Sequence, residues 1–197
     1  MRKIVCVCGM PGAGKSVLSD YFTRKGYQFL RFGQITLDEV IRRKIKPTEE
    51  NERKIREGFR KKHGMAAFAI LNYPKFKKMI KKGNIIADGL YSWSEYKFLK
   101  EKFGKKMIVV AIFAPPEERY ERLSKRKVKD DKKLRYRPFT KSQAKARDFA
   151  EIEKIEKGGP IAMANFTIVN DKSLSYFKKQ IREIFQKIEN AGKKKSN

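Results

Sequence analysis

Apolar residues along this chain form short continuous runs that alternate with longer periodic segments. The short runs favour strands, which we predict at 3–8, 27–32, 84–88, 107–113 and 165–169. In the longer segments apolar residues recur every three or four positions, and we predict helices at 16–24, 36–44, 48–63, 65–82, 94–103, 117–127, 140–156 and 174–188. Strands separated by helices indicate an α/β fold with three layers, a parallel sheet between two layers of helices.

Capping residues mark the starts of several predicted helices. Thr48 precedes Glu49 and Glu50, and an N-cap followed by first-turn acids favours the start of a helix. Pro115 and Pro116 stand where the helix at 117–127 is expected to begin. In a parallel sheet of this kind ligands bind at the carboxyl ends of the strands, so functional residues are expected directly after each apolar run.

The first run is followed by Gly9-Met-Pro-Gly-Ala-Gly-Lys-Ser16, which matches the pattern G-x-x-x-x-G-K-[ST] throughout. Glycines let such a loop point successive N–H groups at phosphate oxygens, and the N-terminal end of the next helix adds positive charge. Lys15 is predicted to bind the β- and γ-phosphates, and the Ser16 hydroxyl to ligate Mg²⁺. The nucleotide-binding residues predicted here are Gly9, Gly12, Ala13, Gly14, Lys15, Ser16 and Val17.

Asp88 ends the third apolar run and is followed by Gly89. A carboxylate at this edge of the sheet can hold Mg²⁺ or orient a phosphoryl acceptor. Asp before Gly is also common in turns, so the phosphate-binding motif is what makes this residue a candidate. We predict that Ser16 and Asp88 bind the metal and that Lys15 and Asp88 are catalytic.

Composition limits the possible classes of protein. The chain has 197 residues, with 49 Lys and Arg against 22 Asp and Glu, a formal net charge of +27. This length predicts a single domain at 1–190, followed by a disordered basic tail at 191–197. The charge predicts attraction to polyanions, which leaves nucleic-acid binding open, although no RNA-binding motif is recognisable.

Other features exclude redox, zinc and membrane functions. Cys6 and Cys8 share one face of a predicted strand, where they are expected to be buried thiols. The single histidine, His63, excludes histidine-based triads and multi-histidine metal sites. The apolar run at 4–10 is short and ends in Gly and Pro, so we expect neither a secretory leader nor a membrane span, and a cytoplasmic location.

Positive charge is concentrated at residues 122–147, where twelve Lys and Arg accompany only Asp130 and Asp131. One interpretation is a mobile lid at about 126–140 that closes over ATP and stabilises charge on the transferred phosphoryl group. The alternative is a solvated basic loop. Since guanidinium groups match phosphate geometry, we predict that Arg122 contacts the nucleotide and that Arg126 and Arg147 are catalytic.

In these residues the chain resembles P-loop kinases of the nucleoside-monophosphate-kinase and dephospho-CoA-kinase group. It is most similar to an archaeal-type family related to dephospho-CoA kinase, from about residue 3 to 188. The resemblance rests on the phosphate-binding loop together with Phe32-Gly33, Ala87-Asp88-Gly89, Arg147-Asp148 and residues 119–123 and 168–170. It implies a five-stranded sheet of order 2-3-1-4-5, a helical acceptor-binding insert at about 36–82, the lid, and an adenine-contacting turn at Asn170.

The sequence departs from this group where relatives hold the acceptor. Relatives commonly place Asp, and Arg three residues later, after the second strand, where this chain has Gln34 and Leu37. After the third strand they often have Asp-Gly-x-Arg, and here Tyr91 replaces the arginine. Either another arginine substitutes or the acceptor is not an ordinary nucleoside monophosphate; the candidates are Arg31, Arg42 and Arg43. Tyr91 and Trp93 either stack on a base or pack in the core.

The leading hypothesis is an ATP- and Mg²⁺-dependent phosphotransferase, a monomer or weak dimer. Its acceptor would be nucleotide-like, of the nucleoside monophosphate or dephospho-CoA type. A second hypothesis is a nucleotide-dependent ATPase or accessory factor associated with RNA or DNA, which the high charge favours. A third is a nucleotide-binding protein without catalysis.

Overall fold

The computed structural model describes residues 1–126 and 139–191. Its five strands form one sheet with the order β2-β3-β1-β4-β5, and all the neighbours run parallel. The strands are β1 Ile4–Cys8, β2 Gln28–Arg31, β3 Ile85–Asp88, β4 Met107–Phe113 and β5 Phe166–Val169. This architecture is the α/β P-loop NTPase fold, and it confirms the predicted fold class and strand order.

Helices connect the strands and cover both faces of the sheet. They are α1 Lys15–Arg24, α2 Gln34–Arg42, α3 Glu49–His63, α4 Ala67–Ile80, α5 Trp93–Phe103, α6 Pro116–Ser124, α7 Lys141–Glu153, α8 Gly158–Ala162 and α9 Leu174–Asn190. The sequence analysis missed α8, a short helix that begins with two glycines, and extended α7 too far. Glycine disfavours helix interiors, so only tertiary packing reveals such an element.

The central strand β1 packs on both of its faces. Ile4, Cys6 and Cys8 point into the core beneath α4 and α5, while Val5 and Val7 point into the core beneath α1 and α9. Both cysteines are fully buried, and burial raises the pKa of Cys8 to about 12. They are therefore inert packing residues, in agreement with the sequence interpretation.

Helices α2, α3 and α4 occupy the segment predicted as an acceptor-binding insert. The Thr48 side chain accepts a hydrogen bond from the Asn51 N–H and caps α3, as the sequence predicted. The predicted lid lies mostly at 127–138 and the predicted tail mostly at 192–197, outside the described residues. Within the described ranges, none of the helices combines the length and the apolar composition of a bilayer-spanning segment.

Candidate functional site

The loop between β1 and α1 has a backbone shape that only glycine adopts without strain. Gly12 and Gly14 have φ values of +82° and +110°. A Cβ on Gly12 would lie 2.8 Å from the backbone oxygen of Arg119, and one on Gly14 would lie 2.7 Å from Nδ2 of Asn170. The loop therefore packs tightly against α6 and the end of β5. No described side chain caps α1, and of its first-turn N–H groups that of Val17 donates to the carbonyl oxygen of Gly14. The N-terminal end of α1 is therefore open to an anion.

Lys15, the first residue of α1, folds back over this loop. Its Nζ donates hydrogen bonds to the backbone oxygens of Gly9 and Met10, at 2.8 and 3.0 Å. Burial, with a further contribution from the nearby positive charge of Lys157, lowers the pKa of Lys15 to about 7. An anion bound beside these ammonium groups would stabilise the charged form of Lys15.

Asp88 lies at the carboxyl end of β3, opposite Val7 of β1 in the sheet register. Its Oδ1 is buried and makes no hydrogen bond within the described part of the chain. Burial raises the pKa of this carboxyl group, while the positive charges of Lys15 and Arg31 act in the opposite direction. A buried oxygen without a partner costs free energy, so this atom is suited to a metal ligand or to a hydroxyl donor.

These residues border a cavity of about 800 Å³ between the loop, the end of β3, α3 and α7. Of the residues predicted from the sequence, those lining it are Gly12, Gly14, Lys15, Ser16, Asp88, Arg126 and Arg147. The remaining candidates are not among the residues that line it: Gly9, Ala13, Val17, Arg122 and Asn170. The structure therefore brings the predicted catalytic residues together in one volume.

Arg122 and Asn170 connect the loop to the end of the sheet. The Asn170 side chain donates a 2.8 Å hydrogen bond to the carbonyl oxygen of Ala13, and Arg122 donates a 3.0 Å bond to the carbonyl oxygen of Asn170. Arg122 also pairs with Glu118 at 2.5 Å. In this structure both predicted nucleotide-contacting residues hold the loop in place.

A buried ion pair that the sequence analysis did not assign supports the same loop. Arg119 and Asp148 are each 4% exposed and are 2.6 Å apart. Arg119 also donates hydrogen bonds to the carbonyl oxygens of Ala114 and Pro11, and Asp148 accepts one from the Tyr120 hydroxyl. This network links α6 and α7 to the phosphate-binding loop. Arg119 and Asp148 are far apart in the sequence, so only the folded structure reveals that they form a pair.

Two further charged residues that the sequence analysis missed lie beside Lys15. Glu151 of α7 accepts from Arg147 at 2.9 Å and also pairs with Lys157, which is only 1% exposed. Although burial acts to raise the pKa of Glu151, Lys157 and Arg147 bring it down to about 2. Lys157 also lies over the Tyr91 ring, 5.1 Å from its centroid. The sequence analysis did not single out Lys157, because lysine is common throughout this chain.

The opposite wall of the cavity is formed largely by α3, with Arg53, Arg56 and Arg60 facing it. The arginines considered as substitutes differ in position. Arg31 lines the cavity, whereas Arg42 and Arg43 pair with Glu39 outside it, each at 2.7 Å.

The two aromatic candidates, Tyr91 and Trp93, also lie in different environments. Tyr91 lines the cavity, packed edge to face against Phe68. Trp93 instead stacks on Tyr96, 4.9 Å between ring centroids, and lies against Gly159. Trp93 is thus a packing residue.

The residues present fit a nucleotide with its metal. The loop offers backbone N–H groups and Lys15 to phosphates, and Ser16 shares the cavity with the unsatisfied Oδ1 of Asp88. Within 1–126 and 139–191, no three His, Cys, Asp or Glu side chains cluster as metal ligands. A Mg²⁺ ion here would therefore complete its octahedral shell with phosphate oxygens and water, as Mg²⁺ usually does.

Two solved kinases share this fold. A shikimate kinase from Bacteroides thetaiotaomicron superimposes with a TM-score of 0.59 at 14% identity, covering 95% of this chain and 98% of that one. A gluconokinase from Sinorhizobium meliloti 1021 gives a TM-score of 0.59 at 13% identity over the full length of both chains. Identities this low show a shared P-loop kinase-like fold.

Sequence comparisons identify the family. The AAA domain family model matches residues 5–156. A UPF0200 protein of Thermococcus sibiricus is 33% identical over 187 residues, covering 94% of this chain and 95% of the relative. A UPF0200 protein of Pyrococcus abyssi is 34% identical over 187 residues, covering 94% and 96%. By these matches the chain belongs to the AAA domain family and to the UPF0200 proteins.

Proposed function

We propose that this protein is an ATP- and Mg²⁺-dependent kinase that transfers the γ-phosphoryl group to a small nucleotide-like acceptor. The observation that carries the proposal is the convergence of Lys15, Ser16 and Asp88 on one cavity, which Arg126 and Arg147 also line. The cavity volume of about 800 Å³ suits two small ligands side by side. The kinase-like fold supports the same reaction class.

The donor half of the site consists of the phosphate-binding loop and the start of α1. The N–H groups of residues 12–16 would bind the phosphates, and Lys15 would leave the carbonyl oxygens of Gly9 and Met10 to follow the β- and γ-phosphates. Ser16 and Asp88 would hold Mg²⁺, which supplies charge neutralisation between the β- and γ-oxygens when it is bound.

Catalysis in this site would depend on positioning and electrostatics. Arg147, fixed by Glu151 at 2.9 Å, and Arg126 would stabilise negative charge on the transferred phosphoryl group. The basic segment at about 126–140 would close over the nucleotide as a lid and exclude water. Residues 126 and 139 at its two ends both line the cavity, which supports this role.

The acceptor is proposed to be of the nucleoside monophosphate or dephospho-CoA type. The relationship to dephospho-CoA kinase rests on the motifs around the phosphate-binding loop, Asp88 and Arg147. The cavity offers such an acceptor both aromatic surfaces, at Phe68 and Tyr91, and guanidinium groups. The absence of Asp and Arg at positions 34 and 37 means that other residues must bind its charged group.

The net charge of +27 supports a second candidate, an ATPase associated with RNA or DNA. Such a protein would bind nucleic acid with an affinity that falls steeply with salt. It would release phosphate without transferring it to a small molecule.

The donor half is tested by isothermal titration with ATP·Mg. We expect binding by the wild type, a loss of at least tenfold in affinity for Lys15→Ala, and wild-type affinity for Lys178→Ala. The control removes the same charge from an exposed position on α9. No binding by the wild type, or equal binding by Lys15→Ala, contradicts the proposal.

The reaction is tested by a phosphoryl-transfer screen with ATP·Mg, run with and without RNA. Acceptors would include AMP, CMP, UMP, dTMP, dephospho-CoA and free nucleosides. Transfer to a small acceptor supports the kinase, whereas RNA-stimulated phosphate release without transfer supports the ATPase. ATP binding with neither outcome indicates a protein without catalysis.

A further inference from the structure

Charged side chains line both ends of the cavity, and the wall formed by α3 carries Glu49, Glu52 and Glu57 beside Arg53, Arg56 and Arg60. At the end next to the phosphate-binding loop, the acidic residues Asp20 and Asp88 line the wall. Lys15 and Lys157 are also at this end, but Lys15 is the donor-phosphate ligand and Lys157 pairs with Glu151. Arg31, the sheet neighbour of Asp88 on β2, also lines the cavity and has a partner within the protein. The cations nearest Asp88 are therefore already engaged by other groups.

At the far wall, Arg60 of α3 lines the cavity with no carboxylate of the described residues in ion-pair contact, although the negative charge of Glu95 acts on it. Its Nε is buried and makes no hydrogen bond to any described residue, and the described residues form no ion pair with its guanidinium group. The guanidinium lies 5.3 Å from the Phe68 ring centroid, so its flat face is covered by an aromatic side chain. A buried guanidinium in this situation gains a charge-assisted hydrogen bond when an anion binds.

Neighbouring groups extend the anion-binding site formed by Arg60. Arg56, one turn earlier on α3, lines the same wall and is held by Glu49 at 2.5 Å. Thr36 of α2 contributes a buried Oγ1 that has no hydrogen-bond partner among the described residues. Unsatisfied donors on two helices thus face one volume, opposite the carboxylate of Asp88.

We propose that the acceptor is an anionic alcohol: a small molecule whose carboxylate or phosphate is bound by Arg60 and whose hydroxyl is presented to Asp88. This inference rests on the proposed kinase function and specifies its substrate class. With one carboxylate oxygen of Asp88 on the metal, the other can accept a hydrogen bond from a hydroxyl, whereas a phosphate dianion has no proton to donate. The anion instead lies at the far wall, where the unpaired guanidinium is.

The reaction that follows forms a phosphate monoester. The acceptor hydroxyl oxygen forms a bond to the γ-phosphorus, and the bond from the γ-phosphorus to the β,γ-bridging oxygen breaks. ADP leaves with that electron pair. The hydroxyl proton passes to an oxygen of the transferred phosphoryl group and then to water. Asp88 orients the hydroxyl through its hydrogen bond.

The product distinguishes this class from transfer to a phosphate. The wild-type protein would be incubated with ATP·Mg and two acceptor sets: nucleoside monophosphates, and alcohols bearing a carboxylate or a phosphate, such as shikimate, gluconate and dephospho-CoA. The uncharged alcohols glucose and inositol serve as controls. In ³¹P NMR we expect a monoester resonance without phosphorus–phosphorus coupling, from an anionic alcohol only. Conversion of a nucleoside monophosphate to its diphosphate, or no phosphorylation of any anionic alcohol, overturns the inference.

The anion site is tested separately, without knowledge of the acceptor. In the ADP-saturated protein inorganic phosphate should raise the melting temperature, and Arg60→Gln should abolish this increase. Arg182→Gln, the same substitution at an exposed position of α9, should retain it. Equal increases in both variants overturn the inference. Failure of the proposed kinase function would differ, because no acceptor of either set would then be phosphorylated.

With an active acceptor in hand, Arg60→Gln should raise its KM at least tenfold and leave the affinity for ATP unchanged. The role of Arg60 would be purely structural if Arg60→Gln lowered the affinity for ATP as much as it raised the KM. The same holds if the variant lost enough thermal stability to account for its loss of activity. That result would also overturn the inference.

Discussion

The two halves of the cavity are built in different ways. The donor half is a contiguous loop whose glycines are locked against α6 and β5, and it is supported by the fully buried pair of Arg119 and Asp148. The acceptor half is a wall of α3 with more exposed ion pairs, such as Arg56 with Glu49 at 26% and 54% side-chain exposure, although Arg56 also pairs with the buried Glu52. The donor half is rigid and depends on tight packing for its shape. In the acceptor half, side chains can be substituted without disturbing the fold.

Breaking a charged pair should therefore have very different effects in the two halves. We expect Asp148→Asn to lower the free energy of unfolding by about 3–5 kcal/mol, because it leaves the buried Arg119 uncompensated. The corresponding change in the acceptor half, Glu49→Gln, should cost at most about 1 kcal/mol. Urea denaturation of both variants measures the difference, and similar losses would remove the contrast.

The second largest effect concerns the loop itself. Gly12→Ala places a Cβ 2.8 Å from the Arg119 backbone oxygen at a φ of +82°, so we expect a loss of about 1–3 kcal/mol in stability. The affinity for ATP should also fall, by at least about tenfold, since the displaced N–H groups no longer match the phosphates. Calorimetric titration checks the affinity, and an unchanged dissociation constant would contradict the role given to this glycine.

A third prediction concerns protons. Because the pKa of Lys15 is lowered to about 7, this side chain is largely neutral at pH 8 and charged at pH 6. Binding of ATP favours the charged form, so at pH 8 it should be accompanied by uptake of about one proton, and by much less at pH 6.

This uptake is measured by titration in buffers of different ionisation enthalpy. Lys15→Met should abolish it. Lys157→Gln should reduce it, because removal of the neighbouring positive charge lets the pKa of Lys15 rise. Uptake that persists in Lys15→Met would assign the proton to another group.

The smallest expected effect is a gain in stability. Gly58 lies within α3, and a Cβ added there meets no atom within 4 Å. Gly58→Ala should stabilise the protein by about 0.5–1 kcal/mol and leave ATP binding unchanged. The melting temperature reports this gain, and a destabilised variant would show that the acceptor wall is as tightly constrained as the loop.

The same contrast explains what the sequence could predict. The donor loop is a continuous motif between a strand and a helix, so Lys15 and Ser16 were predictable from the sequence, while the strand order was implied by the family resemblance. The residues that line the acceptor half come from α2, α3 and α7, and no fixed separation in the sequence relates them. Arg60 and Lys157 belong to a chain with 49 Lys and Arg, and only burial and partners distinguish them from the rest. Helix α8 was missed because tertiary contacts, not propensity, stabilise it.

The hydrogen bond from Asn170 to Ala13 joins residues that are 157 positions apart. Strand β1, although it is made first, lies in the middle of the sheet and pairs with β3 and β4. During synthesis the ribosome must therefore release the polypeptide through residue 170 before this contact can form. Shortened nascent chains that lack β5 would contain the whole phosphate-binding motif and still present a loop without its support. Competence for nucleotide is thus acquired only after β5 has been made, in one step with completion of the sheet.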